Sequence, residues 1–393
     1  MHTVQDRRIY LRLGHTSLGK RMQYKSQHFV PKCYLRPFTI ENNDRSIGVY
    51  NIRRNLFIPR ASIKDQCASD YFYDRTGEME KIFGGCEGEY SRIIKKIAKY
   101  LTASEEDLSF LKYFAYLQYL RTDAWAKHQA LAITNMTEFV FENDPAGRSW
   151  ATIDPKKLPG ESLGHFLHTA PYLMGLRDCI VVNQSNRPFI TSDNPAVIVN
   201  RFHVQKGRHR YGGAGLINSG CMLVLPISPR VVFVAYDQGI YTATLQGGPI
   251  AFAKRPRDID ALNALQILKA SDNIYFNDVN SAGYIKNVVS EYKERRPDAW
   301  HRWHFAVEET GSRTDTHKRY RVVDTPAEFQ SGNGLMHMQS ISVDPGIWCS
   351  IFSFRKKPSF VDTRSAVGLV RSQRLLDLRE ILREPPASAQ IPR

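Results

Sequence analysis

The chain has 393 residues, 42% of them hydrophobic, and a formal net charge of +15 at pH 7. That apolar content suffices for a core and excludes a globally disordered chain, and no apolar run reaches the about 18 residues of a membrane span. The positive excess points to polyanionic partners, nucleic acid first, through long-range attraction and counterion release; its ordinary use is solubility alone.

Residues 1–25 read as a basic leader without the apolar core of a signal peptide, and the cytoplasm is the expected compartment. In SQHFVPKCYLRPFTI, residues 26–40, Pro31 and Pro37 oppose a helix while the aromatics favour burial, so an extended, packed segment is expected. Residues 46–61 pattern as two short strands around a turn near Arg53–Asn55. Met79, Ile82, Phe83, Tyr90, Ile93, Ile94, Ile97 and Leu101 recur at helical spacing and predict a helix over 78–101. Gly84, Gly85 and Gly88 weaken its middle, at about 1 kcal/mol each relative to alanine, which predicts a kink or the close approach of another backbone.

Ser104 opens a stronger helix with acids in its first turn, a capping-box variant, and the apolar run predicts one helix to about Phe141. A further helix is expected over 162–174. Three strand-like runs follow at 178–184, 188–193 and 195–200, then a basic, glycine-rich loop at 201–220. The apolar runs at 221–228 and 230–237 meet at Ser228–Pro229 as a hairpin, and Asp258 is expected to cap a helix. GIWCSIFSF, residues 346–354, reads as a strand. This order fits an α+β fold: central long helices packed with an antiparallel or mixed sheet, plus a C-terminal extension. The expected organisation is the leader, a core domain over 26–294, an extension over 295–383, and a disordered tail over 384–393. The six cysteines are scattered without a C-x-x-C pair, which argues for buried free thiols rather than zinc or disulfides.

Three blocks carry a family resemblance. The first is His28-x-x-Pro31-x-x-Tyr34-Leu35-x-x-Phe38. The second runs from Asp70-Tyr71-Phe72-Tyr73 through Glu80 and Glu87 to Gln118-x-x-Arg121-Thr122. The third is Thr191-Ser192-Asp193-Asn194-Pro195, followed by Pro226-Ile227-Ser228-Pro229. In this order they resemble the uncharacterised family numbered 4238 among domains of unknown function. The resemblance covers about residues 26–285, and it implies kinship without implying a reaction.

Within those blocks, each polar residue has an ordinary role and a sharper one. A helix puts Glu80 and Glu87 on one face, about 10.5 Å apart along the axis, too far to share one ion. Gln118 and Arg121 are neighbours on one apolar helix face, so burial obliges them to find partners. A salt bridge from Arg121 to Glu80 or Glu87 is the simplest account; the sharper role is phosphate or carboxylate binding. Asp193 suits a turn cap or a ligand at a strand end. His28 suits a hydrogen-bonded core position or a metal ligand.

The leading expectation is a nucleic-acid-acting protein, a metal-dependent nuclease of defence or toxin type. His28, Glu87 and Asp193 would hold magnesium or manganese, Arg121 would bind phosphate, and Gln118 would orient it. The alternatives are a non-catalytic nucleic-acid or protein-binding module and a small-molecule hydrolase or transferase. Weaker patterns discriminate little. Asp278 with Glu291-Tyr292-Lys293 only loosely fits an acid–acid–lysine nuclease, and the Arg121 to His128 spacing arises by chance in an arginine-rich chain with 12 histidines. Basic runs at Arg53-Arg54, Arg201 to Arg210, Lys254 to Arg257 and Glu294 to Arg296, with HRWH at 301–304, suit single-stranded nucleic acid if they gather on one face.

Overall fold

The computed structural model describes residues 25–142, 144–151, 153–206, 212–309, 319–330 and 334–372. Residues 1–24 of the leader, the tail and part of the 201–220 loop lie outside them. Strands β1 (Ser26–His28), β2 (Ser46–Asn51), β3 (Leu56–Ser62) and β4 (Ala68–Asp70) precede four long helices, α1 (Glu78–Tyr100), α2 (Glu105–Leu120), α3 (Asp123–Val140) and α4 (Leu158–Thr169). Then come β5 (Leu176–Asn183), β6 (Thr191–Ser192), β7 (Val197–Val199), β8 (Met222–Ser228), β9 (Val231–Asp237), β10 (Tyr241–Ala243) and β11 (Ile250–Ala253). Helix α5 (Pro256–Lys269) leads into β12 (Asn273–Phe276), and β13 (His301–Glu308), β14 (Tyr320–Val323) and β15 (Gly334–Ser340) form a later sheet.

The expected α+β class holds. Its centre is a five-stranded mixed sheet in the order β11-β5-β9-β8-β7, in which β11 and β5 run parallel and the other neighbours antiparallel. The apolar runs that build it lack polar alternation because both faces are buried. Ile180, Val182, Leu223, Leu225, Phe233 and Ala235 face the core shared with α1 to α4. Cys179, Val181, Met222, Val224, Val232 and Val234 face the core shared with α5. Each such side chain removed from water contributes about 1.5–3 kcal/mol.

A second sheet, β3-β2-β12-β6, carries the expected hairpin of β2 and β3 and brings β6 against β12. The region after Glu294 supplies Trp300 to the first core, and Val343, Cys349, Ile351 and Phe352 to the second. The sheet β14-β13-β15 rests on α3, where the rings of Phe139 and Phe305 stack at 3.7 Å and Trp303 Nε1 donates to Ala132 O. All six cysteines are free. Among the described residues no helix is long and apolar enough to cross a membrane.

Several local expectations are corrected. Pro31 and Pro37 do not exclude helix: Pro31 is the N-cap of a single turn, Lys32–Leu35, and Pro37 lies in the first turn of a 3₁₀ segment, where no amide donor is needed. Gly84, Gly85 and Gly88 are approached by no other atom; a Cβ at each would meet open space. The helix expected from 162 to 174 begins earlier, at Leu158, and ends in a 3₁₀ turn at Ala170–Leu173. The loop after Asn200 opens with a short helix, Arg201–Lys206, and only Phe352–Phe354 of the run 346–354 is strand. Asp258 lies inside the first turn of α5, where its carboxylate accepts the Ser350 amide and hydroxyl.

The correction that matters most is at Arg121–Thr122. The Ser104–Asp107 capping box starts α2 as expected, but the helix stops at Leu120 and a new one starts at Asp123. Thr122 adopts extended backbone, and its hydroxyl accepts the Trp125 amide, capping α3. A threonine side chain offers its backbone this alternative to helix continuation.

Candidate functional site

The three family blocks converge, and the contacts between them are specific. From the first block, Tyr34 Oη meets Thr191 Oγ1 at 2.7 Å and donates to Pro226 O in the third. From the second, Gln118 Nε2 donates to Phe29 O at 2.8 Å and Arg121 Nη2 to His28 O at 2.8 Å. Thr122 Oγ1 donates to Asn194 Oδ1 at 3.1 Å, and Asn194 Nδ2 donates to Lys269 O at 2.8 Å. All three blocks thus meet around the α2–α3 junction.

Arg121 is fully buried there: its amide still bonds to Leu117 O, so it continues the face of α2 that buries Gln118. Its guanidinium reaches Glu87 Oε1 at 3.2 Å through both terminal nitrogens, Tyr73 Oη at 2.9 Å, and packs 4.1 Å over the Phe83 ring. Burial opposes its charge, but Tyr73 and Glu87 outweigh burial and hold it protonated. The salt bridge read as the simplest account of Arg121 is therefore the arrangement found, with Glu87 as partner. Glu80 accepts the His28 amide, and burial pushes its carboxyl up. With its donors committed to Glu87, Tyr73 and the His28 carbonyl, Arg121 is not presented to a phosphate.

The expected metal set does not assemble. His28 turns its ring to Lys64 O, with Nε2 3.2 Å away, and only its backbone carbonyl faces Arg121. Burial lowers that imidazole's pKa. Asp193 accepts the amides of Ser271, Asp272 and Asn273 at 2.7–2.8 Å, which is the turn-capping role. Burial pushes its carboxyl up to about 6 in spite of these donors. Among the described residues no group of three His, Cys, Asp or Glu side chains is arranged to hold a metal ion. His28, Glu87 and Asp193 each serve a different local structure, so they do not fit magnesium or manganese. Gln118 keeps a buried Oε1 without a hydrogen-bond partner.

A second constellation lies just beyond Asn194. Beyond Arg257, Asp258 and Asp260 near its start, helix α5 is apolar except for a polar stripe at Asn263, Gln266 and Lys269, spaced three apart, and all three are buried. Asn263 bonds to Ile190 N, Pro188 O and Tyr284 Oη, and Gln266 bonds to Ser192 Oγ and Pro195 O. These two side chains hold the 188–195 segment in place. Lys269, at the end of the same stripe, has no such partner. Its Nζ lies 4.4 Å from the Trp300 ring centre, and burial alone pulls its pKa from the usual 10.5 down to about 7.

Trp300 gathers further groups. His128, from α3, stacks on it at 4.2 Å, and Tyr119 stacks at 5.8 Å. Burial first, then Lys269 and other cations, lower His128 to about 4, and burial and Lys269 do the same to His301. Both histidines have a buried Nδ1 without a hydrogen-bond partner, as does Arg296 at Nε. Arg296 feels Asp193 and Asp272 as opposing charges, whereas no carboxylate figures among the charges acting on Lys269 or His301. His128, His301, Arg296 and Tyr119 are half-buried, so the cluster reaches the surface.

Sequence reasoning missed this cluster. His128 drew notice only for a chance spacing, and HRWH only as aromatic surface. The available signal was the polar stripe: three polar residues at helical spacing inside the otherwise apolar second half of a helix need partners, and a lysine there is conspicuous.

The family described as a protein of unknown function, DUF4238, matches residues 26–280. No curated protein and no solved structure matches the chain.

Proposed function

We propose, for a chain that belongs to the DUF4238 family of unknown function, that it binds the anionic group of a small ligand at the cluster around Lys269. One observation carries this reading: Lys269, Arg296, His128 and His301 lie around Trp300, and among the described residues no carboxylate is paired with Lys269. Buried cations are normally paired, because desolvating a charge is costly. A phosphate or carboxylate entering here would supply a countercharge for the lysine and a hydrogen-bond acceptor for the unpaired imidazole nitrogens. The burial of Lys269 favours a small molecule over a polymer lying on the surface.

Nucleic acid has one supporting observation of its own. Arg53, from one basic run, forms an ion pair with Asp272 at 2.9 Å, and Asp272 also opposes Arg296, from another run. Against it, the Lys254 to Arg257 run lies at the opposite end of α5, about 20 Å along a 14-residue helix from Lys269. The basic runs therefore do not all gather on one face.

Titration by calorimetry with inorganic phosphate, a mononucleotide, a short single-stranded oligonucleotide and a dicarboxylate separates these ideas. A small anion that binds the wild type, and binds Lys269→Met at least roughly tenfold more weakly, is the expected result. An oligonucleotide that alone binds, with a steep salt dependence, would favour the polymer. Binding of neither, or binding indifferent to Lys269, would defeat the small-anion reading.

A further inference from the structure

We propose that Lys269 is a covalent nucleophile that forms an imine with a small oxo acid, the aldehyde or ketone carbon lying against Nζ and the acid group beside Arg296 and the imidazoles of His128 and His301. This rests on the anion-binding reading and names its substrate class.

The geometry sets Lys269 apart from a structural lysine. It is 4% exposed, closes a helix whose other polar side chains are satisfied, and has the Trp300 ring beside its amine. A buried lysine that no carboxylate among the described residues pairs serves no pairing role, and its burial favours the uncharged form even against the pull of the ring on the cation. An uncharged amine is the reactive species in imine chemistry, and desolvation is one established way to produce it. With its value near 7, Lys269 carries a lone pair in a large fraction of molecules at neutral pH.

The neighbours supply the rest of the chemistry. Nζ attacks the carbonyl carbon, and the carbonyl π pair moves to oxygen. A proton passes from the nitrogen to that oxygen, giving a carbinolamine. The nitrogen lone pair then expels the oxygen, which takes a second proton and leaves as water, so amine, carbonyl and one proton become a protonated imine and water. His128 and His301, both uncharged and both with an unpaired Nδ1, feel the charge of Lys269 around the shared Trp300 ring and would shuttle these protons. Arg296 adds positive charge beside the acid group and keeps its Nε for it, its Nη2 already donating to Ala270 O and Ser271 O, and among the described residues no carboxylate acts on Lys269 itself.

The test is reductive trapping on the full-length protein at pH 7, with glyoxylate as the probe and cyanoborohydride as the reductant, followed by peptide mass mapping. Lys269 is expected to be alkylated at least roughly tenfold faster than exposed lysines such as Lys32 and Lys286, reflecting its larger uncharged fraction. Lys269→Met, folded by circular dichroism, should lose that single fast adduct. Modification of Lys269 no faster than that of the exposed lysines overturns the proposal. Added phosphate distinguishes the two readings. Fast trapping that phosphate does not slow supports the nucleophile and removes the anion site. Measured phosphate binding with Lys269 unreactive overturns the nucleophile and leaves the anion site standing.

Discussion

Lys269 and Trp300 sit with the amine 4.4 Å from the ring centre, and among the described residues the lysine has no carboxylate to balance it. One is the last residue of α5 and the other immediately precedes β13, so the pair ties the region matched by the family to the region after it. A cation held this way is stabilised by the ring quadrupole, yet loses more from burial.

Lys269→Met should therefore stabilise the protein at pH 7, by about 1 kcal/mol or more, while removing the anion site. The pH dependence has a definite sign. The folded value, about 7, lies below the ordinary 10.5, so the unfolded chain binds more protons between them. Wild-type stability should rise with pH across that window, and the rise should be smaller in Lys269→Met. Urea melts of both proteins at pH 7 and pH 9.5 measure this; equal slopes would show that Lys269 is not the titrating group.

His128 and His301 predict a second window. Burial, aided by neighbouring cations, lowers both from 6.5 to about 4. Their contribution is complete above pH 6.5 and is lost as pH falls toward 4, because the unfolded imidazoles protonate first. His301→Gln should flatten part of the acid limb of a stability profile. An anion that binds the cluster should raise both values, which histidine NMR titration with and without phosphate would detect.

Arg121 and Glu87 form a structural pair in which the two partners are unequal. The Arg121 side chain is 1% exposed and that of Glu87 24%. Arg121→Met should cost about 3–5 kcal/mol, because it leaves the Glu87 carboxylate unpaired and removes the guanidinium's bonds to the His28 carbonyl and Tyr73 hydroxyl. Glu87→Gln keeps an acceptor at a partly solvated position and should cost about 1 kcal/mol. Denaturation midpoints at constant m-value give both numbers, and equal losses would contradict this asymmetry.

Asp193 predicts a stability defect without a metal defect. Asp193→Ala leaves the amides of Ser271, Asp272 and Asn273 without their acceptor and should cost about 2–4 kcal/mol. Asp193→Asn retains one acceptor oxygen and should lose less. If calorimetry instead finds magnesium or manganese bound by the wild type and released by Asp193→Asn, the turn-capping role is insufficient.

Thr122 joins two helices to the third family block. Thr122→Ala removes the α3 cap and one partner of Asn194 together, for an expected loss of about 1–3 kcal/mol. Thr122→Ser keeps the hydroxyl and should recover most of it; a thermal melt in which serine is no better than alanine would assign the effect to packing.

Local chemistry made much of this protein legible from its residues. The Ser104 capping box, the hairpin of 222–237, the helix over 78–101 and the α+β class all follow from periodicity and capping, which act over a few residues. The salt bridge of Arg121 was foreseeable because a guanidinium on an apolar helix face must be paired. What tertiary structure alone decided is which side chains face one another. The packing of α1 against α2 sets Glu87 opposite Arg121, Asp193 is consumed by the 271–273 amides, and Trp300 arrives from a later segment to cover Lys269. Desolvation is the physical reason: it depends on everything packed around a group, so no spacing of residues along the chain could reveal that Lys269 is buried without a counterion.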